Sequence, residues 1–246
     1  MFHLTTAPRT APRTGPAMTA ARRPLELVGP EGWEMPVAVR KGLWQGLWQA
    51  GGKRLFDLVA ILAMAPVILP LIGLMVLMVR RDGGPAFFRQ KRVGRHGQAF
   101  WMLKMRTMVP DAEGRLQAHL AADPEARAEW DRHQKLARDP RITRVGRLLR
   151  RTSLDELPQL LNVLRGEMSL VGPRPMMISQ IGLYPGRAYY RLRPGITGNW
   201  QVSERHASSF ADRARYDEAY EAEVSARTDL GLLWRTVAVV LRASGC

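Results

Sequence analysis

The segment Arg151-Thr-Ser-Leu-Asp-Glu-Leu-Pro-Gln-Leu160 sets two carboxylates, Asp155 and Glu156, side by side. Neighbours on a helix point about 100° apart. They cannot flank a scissile glycosidic bond as acid and base, but they suit a nucleophile with a metal-binding or proton-handling partner. A helix N-terminus and nearby arginines would favour ionised Asp155, the form a carboxylate nucleophile needs. A purely structural reading stands beside this one. Ser153 and Glu156 have capping-box spacing, and Asp155 in a first turn suits the helix dipole. Pro158 would cost a helix capped by Ser153 a hydrogen bond, whereas a start at Asp155 puts the proline in the first turn. The sequence leaves the two starts open.

Phosphate-binding chemistry has several further candidates. Arg174 stands between Pro173 and Pro175, a stiff setting that suits a guanidinium aimed at phosphate oxygens; the alternative is a surface arginine in a turn. Arg193-Pro194-Gly195-Ile-Thr197-Gly198 offers a cation and a glycine loop whose amides could approach a nucleotide, or else a plain turn. The five histidines lack metal-ligand spacing, and the single cysteine, Cys246, excludes an intrachain disulfide.

The chain that must position these groups has 246 residues and a net charge of +15, so an anionic partner is expected: nucleic acid, acidic lipid or a phosphorylated substrate. The first forty residues, rich in Pro and Arg with a Thr6-to-Thr14 repeat, read as disordered. From Leu55 to Val79 the chain is nearly all aliphatic, long enough for a membrane segment. Lys53 and Arg54 precede the run and Arg80 and Arg81 follow it. Positive flanks mark the cytoplasmic side, so both ends are placed on one face, with Pro66 as the bend of a re-entrant hairpin. A kinked single span is the alternative.

Residues 85–108 mix aromatics with basic residues and read as strands around His96-Gly97. Asp111 to Leu136 reads as a charged surface helix. Arg141, Arg144, Arg147 and Arg150 recur every three residues, as in a basic amphipathic helix that can lie on an anionic membrane; an ordinary solvent-facing helix is the alternative. A polar helix around Phe210 to Ala226 and an apolar one from Leu230 to Leu241 complete the expectation.

Several segments together carry a resemblance. Lys53-Arg-Leu-Phe-Asp57, Gln90-Lys-Arg-Val-Gly94, Lys104-Met-Arg-Thr-Met108, Asp139-Pro-Arg-Ile-Thr-Arg-Val-Gly-Arg147, Thr152 to Asn162, Gly166-Glu-Met-Ser-Leu-Val-Gly-Pro-Arg-Pro175 and Arg193-Pro-Gly-Ile-Thr-Gly198 occur in that order. From about Lys53 onward the chain resembles the bacterial sugar transferases of the monotopic phosphoglycosyl transferase superfamily. The resemblance implies that Asp155 attacks the sugar-bearing phosphate of a UDP-sugar and releases UMP. Polyprenyl phosphate then takes the sugar phosphate from the aspartate. It also implies Mg2+, held with the help of Asp155 and Glu156, and functional roles for Lys104 and Asp217; from the residues alone these two could be a strand-surface charge and a helix-surface acid. Arg147, Arg151, Arg174 and the Arg193 to Gly198 segment are the expected substrate contacts. Ala65-Pro66 replaces the more usual Ser-Pro at the bend. Asn199 and Ser203-Glu204-Arg205 also depart from the common pattern, which bears on nucleotide or sugar choice.

The expected fold is α+β and mainly helical: a disordered arm (1–40), a pre-membrane segment (41–52), a re-entrant membrane helix (53–81) and a small cytoplasmic catalytic domain with interfacial helices (82–246). The expected location is the cytoplasmic face of the bacterial inner membrane, among anionic lipids, with downstream glycosyltransferases as further partners. A membrane-tethered nucleic-acid-binding protein accounts for the charge but not for the dyad, so nucleic acid is not expected. An inactive scaffold of the same fold is the third reading.

Overall fold

The computed structural model describes residues 43–133, 136–203 and 210–241. The arm at 1–40, Glu204, Arg205 and Cys246 lie outside the described residues. Helix α1 (Leu43–Leu47) passes through a π-helical turn (Trp48–Gly52) into α2 (Lys53–Arg80). α2 is one continuous helical run across Pro66 and Pro70. It is long and apolar enough to cross a membrane. One stripe faces inward: Asp57, Ile61, Met75 and Val79 are buried, with Ala65, Ile68 and Ile72 half-buried between them. Leu62, Pro66, Val67, Leu69 and Pro70 face out.

Both ends of α2 dock on the same domain. Near the start, Arg54 donates to the carbonyls of Val163 and Leu164, and Asp57 accepts the Leu170 N–H at 3.1 Å. Near the end, the Arg106 guanidinium donates to the Val79 carbonyl at 3.0 Å and pairs with Asp82.

Strands β1 (Phe87–Val93) and β2 (Ala99–Met105) form the expected antiparallel hairpin, with Phe88 opposite Lys104 and Val93 opposite Ala99. Its turn puts His96 and Gly97 at φ 58° and 73°, a region glycine adopts without strain. The free edge of β2 is completed by a side chain. Asn162, fully buried, accepts the Leu103 N–H at 3.0 Å and donates to the Trp101 carbonyl at 2.7 Å.

The charged stretch that follows divides into α3 (Ala112–Ala122) and α4 (Pro124–His133), which enclose a small core of Leu116, Leu120 and Ala126. Helix α5 (Arg144–Arg151) starts at Thr143, whose hydroxyl accepts the Gly146 N–H at 2.8 Å. The expected basic stripe is therefore shorter than its arginine period. Arg141 precedes the helix and pairs with Asp139 at 2.7 Å, while Arg150 turns inward. Gly146 is required because a Cβ there would lie 2.0 Å from the Thr107 carbonyl oxygen.

A 3-10 turn (Leu154–Glu156) leads to α6 (Gln159–Leu164), then β3 (Ser169–Val171), α7 (Ala188–Arg191), β4 (Gly195–Thr197), α8 (Asn199–Val202), α9 (Arg213–Glu223) and α10 (Ala226–Leu241). β3 and β4 pair in parallel, Ser169 with Gly195 and Val171 with Thr197. The main core gathers Phe100 and Met102 of β2, Leu160 and Val163 of α6, and Tyr220 and Leu232 of the last two helices. Asp229, with no exposed surface, ties α10 to the start of α2: it accepts from Lys53 at 2.6 Å, Trp48 at 3.0 Å and Tyr220 at 2.6 Å. A buried carboxylate is tolerated here because three donors replace its water.

Candidate active site

Residues of the β hairpin, the α5–α6 connection, the Pro173–Pro175 segment and helices α8 and α9 enclose a cavity of about 650 Å³. Asp155 and Glu156 line it, and the backbone before them explains how. Ser153 adopts the left-handed conformation at φ 56°, which ends α5 and turns the chain into the short 3-10 segment carrying the dyad. Non-glycine residues adopt this conformation uncommonly. Its hydroxyl makes no cap bond, so the capping box does not form. α6 instead begins immediately after Pro158, where the missing N–H costs nothing.

Lys104, reaching from β2, has its Nζ 2.7 Å from Glu156 Oε1 and 3.8 Å from Asp155 Oδ2. Arg174 approaches Glu156 Oε1 at 4.0 Å. Arg92, Arg106, Arg150 and Arg213 also line the cavity; with Arg106 paired to Asp82, five cations remain against two carboxylates, an excess of three positive charges. Such a site suits a ligand with several negative charges, such as a diphosphate.

One electrostatic expectation is reversed. Burial pushes the Asp155 carboxyl above the usual carboxylate range, with Lys104 opposing, Glu156 adding to the rise and Arg150 opposing. The arginines do not dominate because the group has left water. Ionised Asp155 therefore depends on the nearby cations, Lys104 first among them.

The other expected residues are spread through the domain. Asp217 does not line the cavity; it lies one helical turn after Arg213 and accepts the Tyr184 hydroxyl at 2.8 Å. Burial raises its carboxyl to about 7, against the opposing Tyr184 bond and Arg213 charge. Arg147 and Arg151 are exposed and absent from the lining. Arg193 donates to the Gly166 carbonyl at 3.0 Å, away from the cavity.

The Pro194 to Gly198 segment is likewise not part of the lining. The Gly195 amide donates to the Pro173 carbonyl at 2.8 Å, and the Thr197 hydroxyl bonds that of Thr236 at 2.6 Å. A Cβ at Gly195 would lie 2.1 Å from the Gly172 nitrogen, and one at Gly198 2.1 Å from the Gly172 oxygen. These glycines therefore let two strands meet behind Pro173-Arg174-Pro175. They support Arg174 from behind.

Arg92, Arg213 and Trp200 are lining residues that motif reading did not single out. Period-2 alternation was the available signal for the first: Phe88, Gln90 and Arg92 share one strand face, and all three line the cavity. Arg213 lies over the Trp200 ring, 4.1 Å from its centroid, and 4.6 Å from that of Phe210. Burial, followed by repulsion from Arg174, lowers it to about 10. No sequence spacing announces a contact between α8 and α9 of this kind.

The family model described as Bacterial sugar transferase matches residues 48–243, which include every residue of the cavity. This chain belongs to that family. It is 47% identical over 195 residues to a UDP-galactose-lipid carrier transferase of Erwinia amylovora, covering 78% of this chain and 41% of that protein. It is 46% identical over 195 residues to an undecaprenyl-phosphate galactose phosphotransferase of Salmonella typhimurium, again over 78% and 41%. Exopolysaccharide production protein ExoY of Sinorhizobium fredii is 43% identical over 199 residues, 78% of this chain and 87% of that protein. The bacterial sugar transferase match thus spans less than half the length of the first two relatives and most of the third.

Proposed function

We propose that this chain transfers a sugar 1-phosphate from a UDP-sugar to a polyprenyl phosphate, such as undecaprenyl phosphate, at the cytoplasmic face of the bacterial inner membrane. The observation that carries this reading is the Asp155-Glu156 pair inside a cavity with three excess positive charges. The names of the relatives, which mention UDP-galactose, a lipid carrier and undecaprenyl phosphate, support the substrate classes. A nucleic-acid contact would put its cations along an outer surface, whereas here six converge on one cavity beside the dyad.

In this reading an Asp155 carboxylate oxygen attacks the sugar-bearing phosphorus. The bond to the bridging oxygen breaks and UMP leaves with the electron pair. An oxygen of the polyprenyl phosphate then attacks the same phosphorus, and the Asp155 carboxylate is expelled unchanged. Lys104 holds Asp155 ionised in its buried setting and, with Arg174 and Arg92, balances charge on the phosphoryl oxygens. Arg213, flattened against Trp200, supplies a further fixed cation.

Among the described residues no cluster of three or more His, Cys, Asp or Glu could cage a metal. The adjacent Asp155 and Glu156 still fit Mg2+, which takes one or two carboxylates and completes its shell with substrate phosphates and water. A magnesium ion held there would neutralise charge on the departing phosphate.

The docking of both ends of α2 on one domain, with both prolines facing out, supports a bent membrane segment whose ends share the cytoplasmic side. That geometry keeps the cavity at the depth of a lipid phosphate. Single cysteines before Lys53 and after Arg81, in a Cys246→Ser background, test it; periplasmic labelling of only one end would establish a span instead.

The decisive assay incubates the detergent-purified full chain with labelled UDP-galactose or UDP-glucose and undecaprenyl phosphate, and follows UMP and lipid-linked sugar. Asp155→Asn is expected to make neither product while remaining membrane-bound. Normal turnover by that variant, or a phosphosugar trapped on another residue, overturns the assignment. The absence of product from any UDP-sugar would favour an inactive scaffold.

A further inference from the structure

A second cavity, of about 880 Å³, lies on the other side of the Val109-Pro110 wall that it shares with the dyad cavity. Neither Asp155 nor Glu156 lines it. Its lining joins the end of α2 (Met78, Val79, Arg81) to the starts of α3 and α5 (Arg115 and Arg144).

The charges in this cavity are unbalanced. Asp82 is engaged by Arg106, which leaves Asp111, the α3 cap that accepts the Gly114 N–H at 3.1 Å, as one carboxylate against three arginines. Arg81, Arg115 and Arg144 make no ion pair among the described residues, and all three are exposed. The N-terminus of α5 opens into the same space and adds its partial positive charge. Met78, Val79, Val109, Pro110 and Val145 form an apolar wall beside these cations, at the end of the longest apolar helix.

A pocket with three cations, an apolar wall and a position at the end of a membrane helix matches an anionic lipid: phosphate on the arginines, chain along α2. A lipid phosphate held here is walled off from Asp155, so the site does not suit the reacting acceptor. We propose that this cavity is a resident site for the phosphodiester headgroup of an anionic membrane phospholipid, which seats the end of α2 and the start of α5 on the bilayer. The inference rests on the membrane placement of α2 but not on the transfer reaction, so it is read without turnover.

The test is retention of phosphatidylglycerol by the detergent-purified full chain, followed by native mass spectrometry after exposure to vesicles of phosphatidylglycerol in phosphatidylcholine. The wild type is expected to keep phosphatidylglycerol in preference to phosphatidylcholine. Arg115→Gln with Arg144→Gln should weaken retention about 30-fold, as two surface arginines contribute at an anionic bilayer. Arg115→Lys with Arg144→Lys should restore most of it, which separates lost charge from lost fold. Equal retention by wild type and the Gln pair, or no preference over phosphatidylcholine, overturns the proposal. Two parallel arms use inorganic phosphate and undecaprenyl phosphate. Competition by inorganic phosphate at equal concentration would make the site a free-anion site, and arginine-dependent retention of undecaprenyl phosphate alone would make it an acceptor site; either result overturns the phospholipid assignment.

Discussion

Replacing Asp217 by Asn tests the electrostatics behind the cavity. In the folded chain this carboxyl titrates at about 7, against an ordinary value of 3.8, chiefly because burial penalises its charge. The native state therefore holds the proton more tightly than the unfolded chain does. The stability it contributes is fully present below 3.8 and is lost as pH rises through about 7. At about 1.4 kcal/mol per unit, most of a ~4 kcal/mol contribution disappears across that window. The asparagine side chain of Asp217→Asn is nearly isosteric, could still accept the Tyr184 hydroxyl and would never ionise. The variant should thus gain on wild type by about 3 kcal/mol between about pH 5 and about pH 8. Denaturant unfolding of both proteins in the same detergent at several pH values measures this. A variant less stable by the same amount at every pH would refute the reasoning, because it would mean that Asp217 is ionised and serves as the counter-ion of Arg213.

Three further outcomes follow from the same geometry. Glu156→Gln removes the 2.7 Å pair with Lys104 and should lower the initial rate ~100-fold while unfolding stays within about 1 kcal/mol of wild type; a lower melting temperature with a normal rate would leave Glu156 only a structural task. Lys104→Met removes the main cation opposing the burial of Asp155, so the acid limb of the pH–rate profile should move to higher pH, and an unmoved limb would show that another group holds Asp155 ionised. Asn162→Leu leaves the buried Leu103 N–H without its acceptor and should cost about 2 kcal/mol in denaturant unfolding; a loss under about 0.5 kcal/mol would show that β2 finds other partners.

Local patterns were legible where one segment decides its own structure. The hairpin around His96-Gly97, the apolar length of α2 and the final helices follow from alternation, apolar run and period. The dyad was legible because Asp155 and Glu156 are adjacent in the chain. The electrostatics of Asp155 were not, since burial by residues distant in sequence dominates, and helix-end and arginine arguments address only the charges that oppose it. The surroundings of the Arg193 to Gly198 segment were not legible for a related reason. Its glycines announce close backbone approach, but not whether the approaching group is a nucleotide or, as here, the backbone of Gly172. Arg141 fitted a three-residue period and still fell outside α5, because Thr143 is the better cap.

Helix α2 and the dyad cavity are joined through Arg106. This arginine lines the dyad cavity and at the same time donates to the Val79 carbonyl, to the Pro85 carbonyl at 2.5 Å and to Asp82. Gly84 leaves room for it: a Cβ there would lie 2.7 Å from the guanidinium carbon. Arg106 follows Lys104 by two residues, which puts the two side chains on one side of an extended backbone and about 7 Å apart along it. The end of α2 and the cation that contacts Asp155 are thus held by one short stretch of backbone. In the proposed reaction, a lipid phosphate kept at the interface by its own chain would meet Asp155 at a depth set by α2. Rigid coupling of this kind explains why a buried arginine with so many backbone partners stands at the rim of the cavity, where an apolar residue would pack as well but would fix nothing.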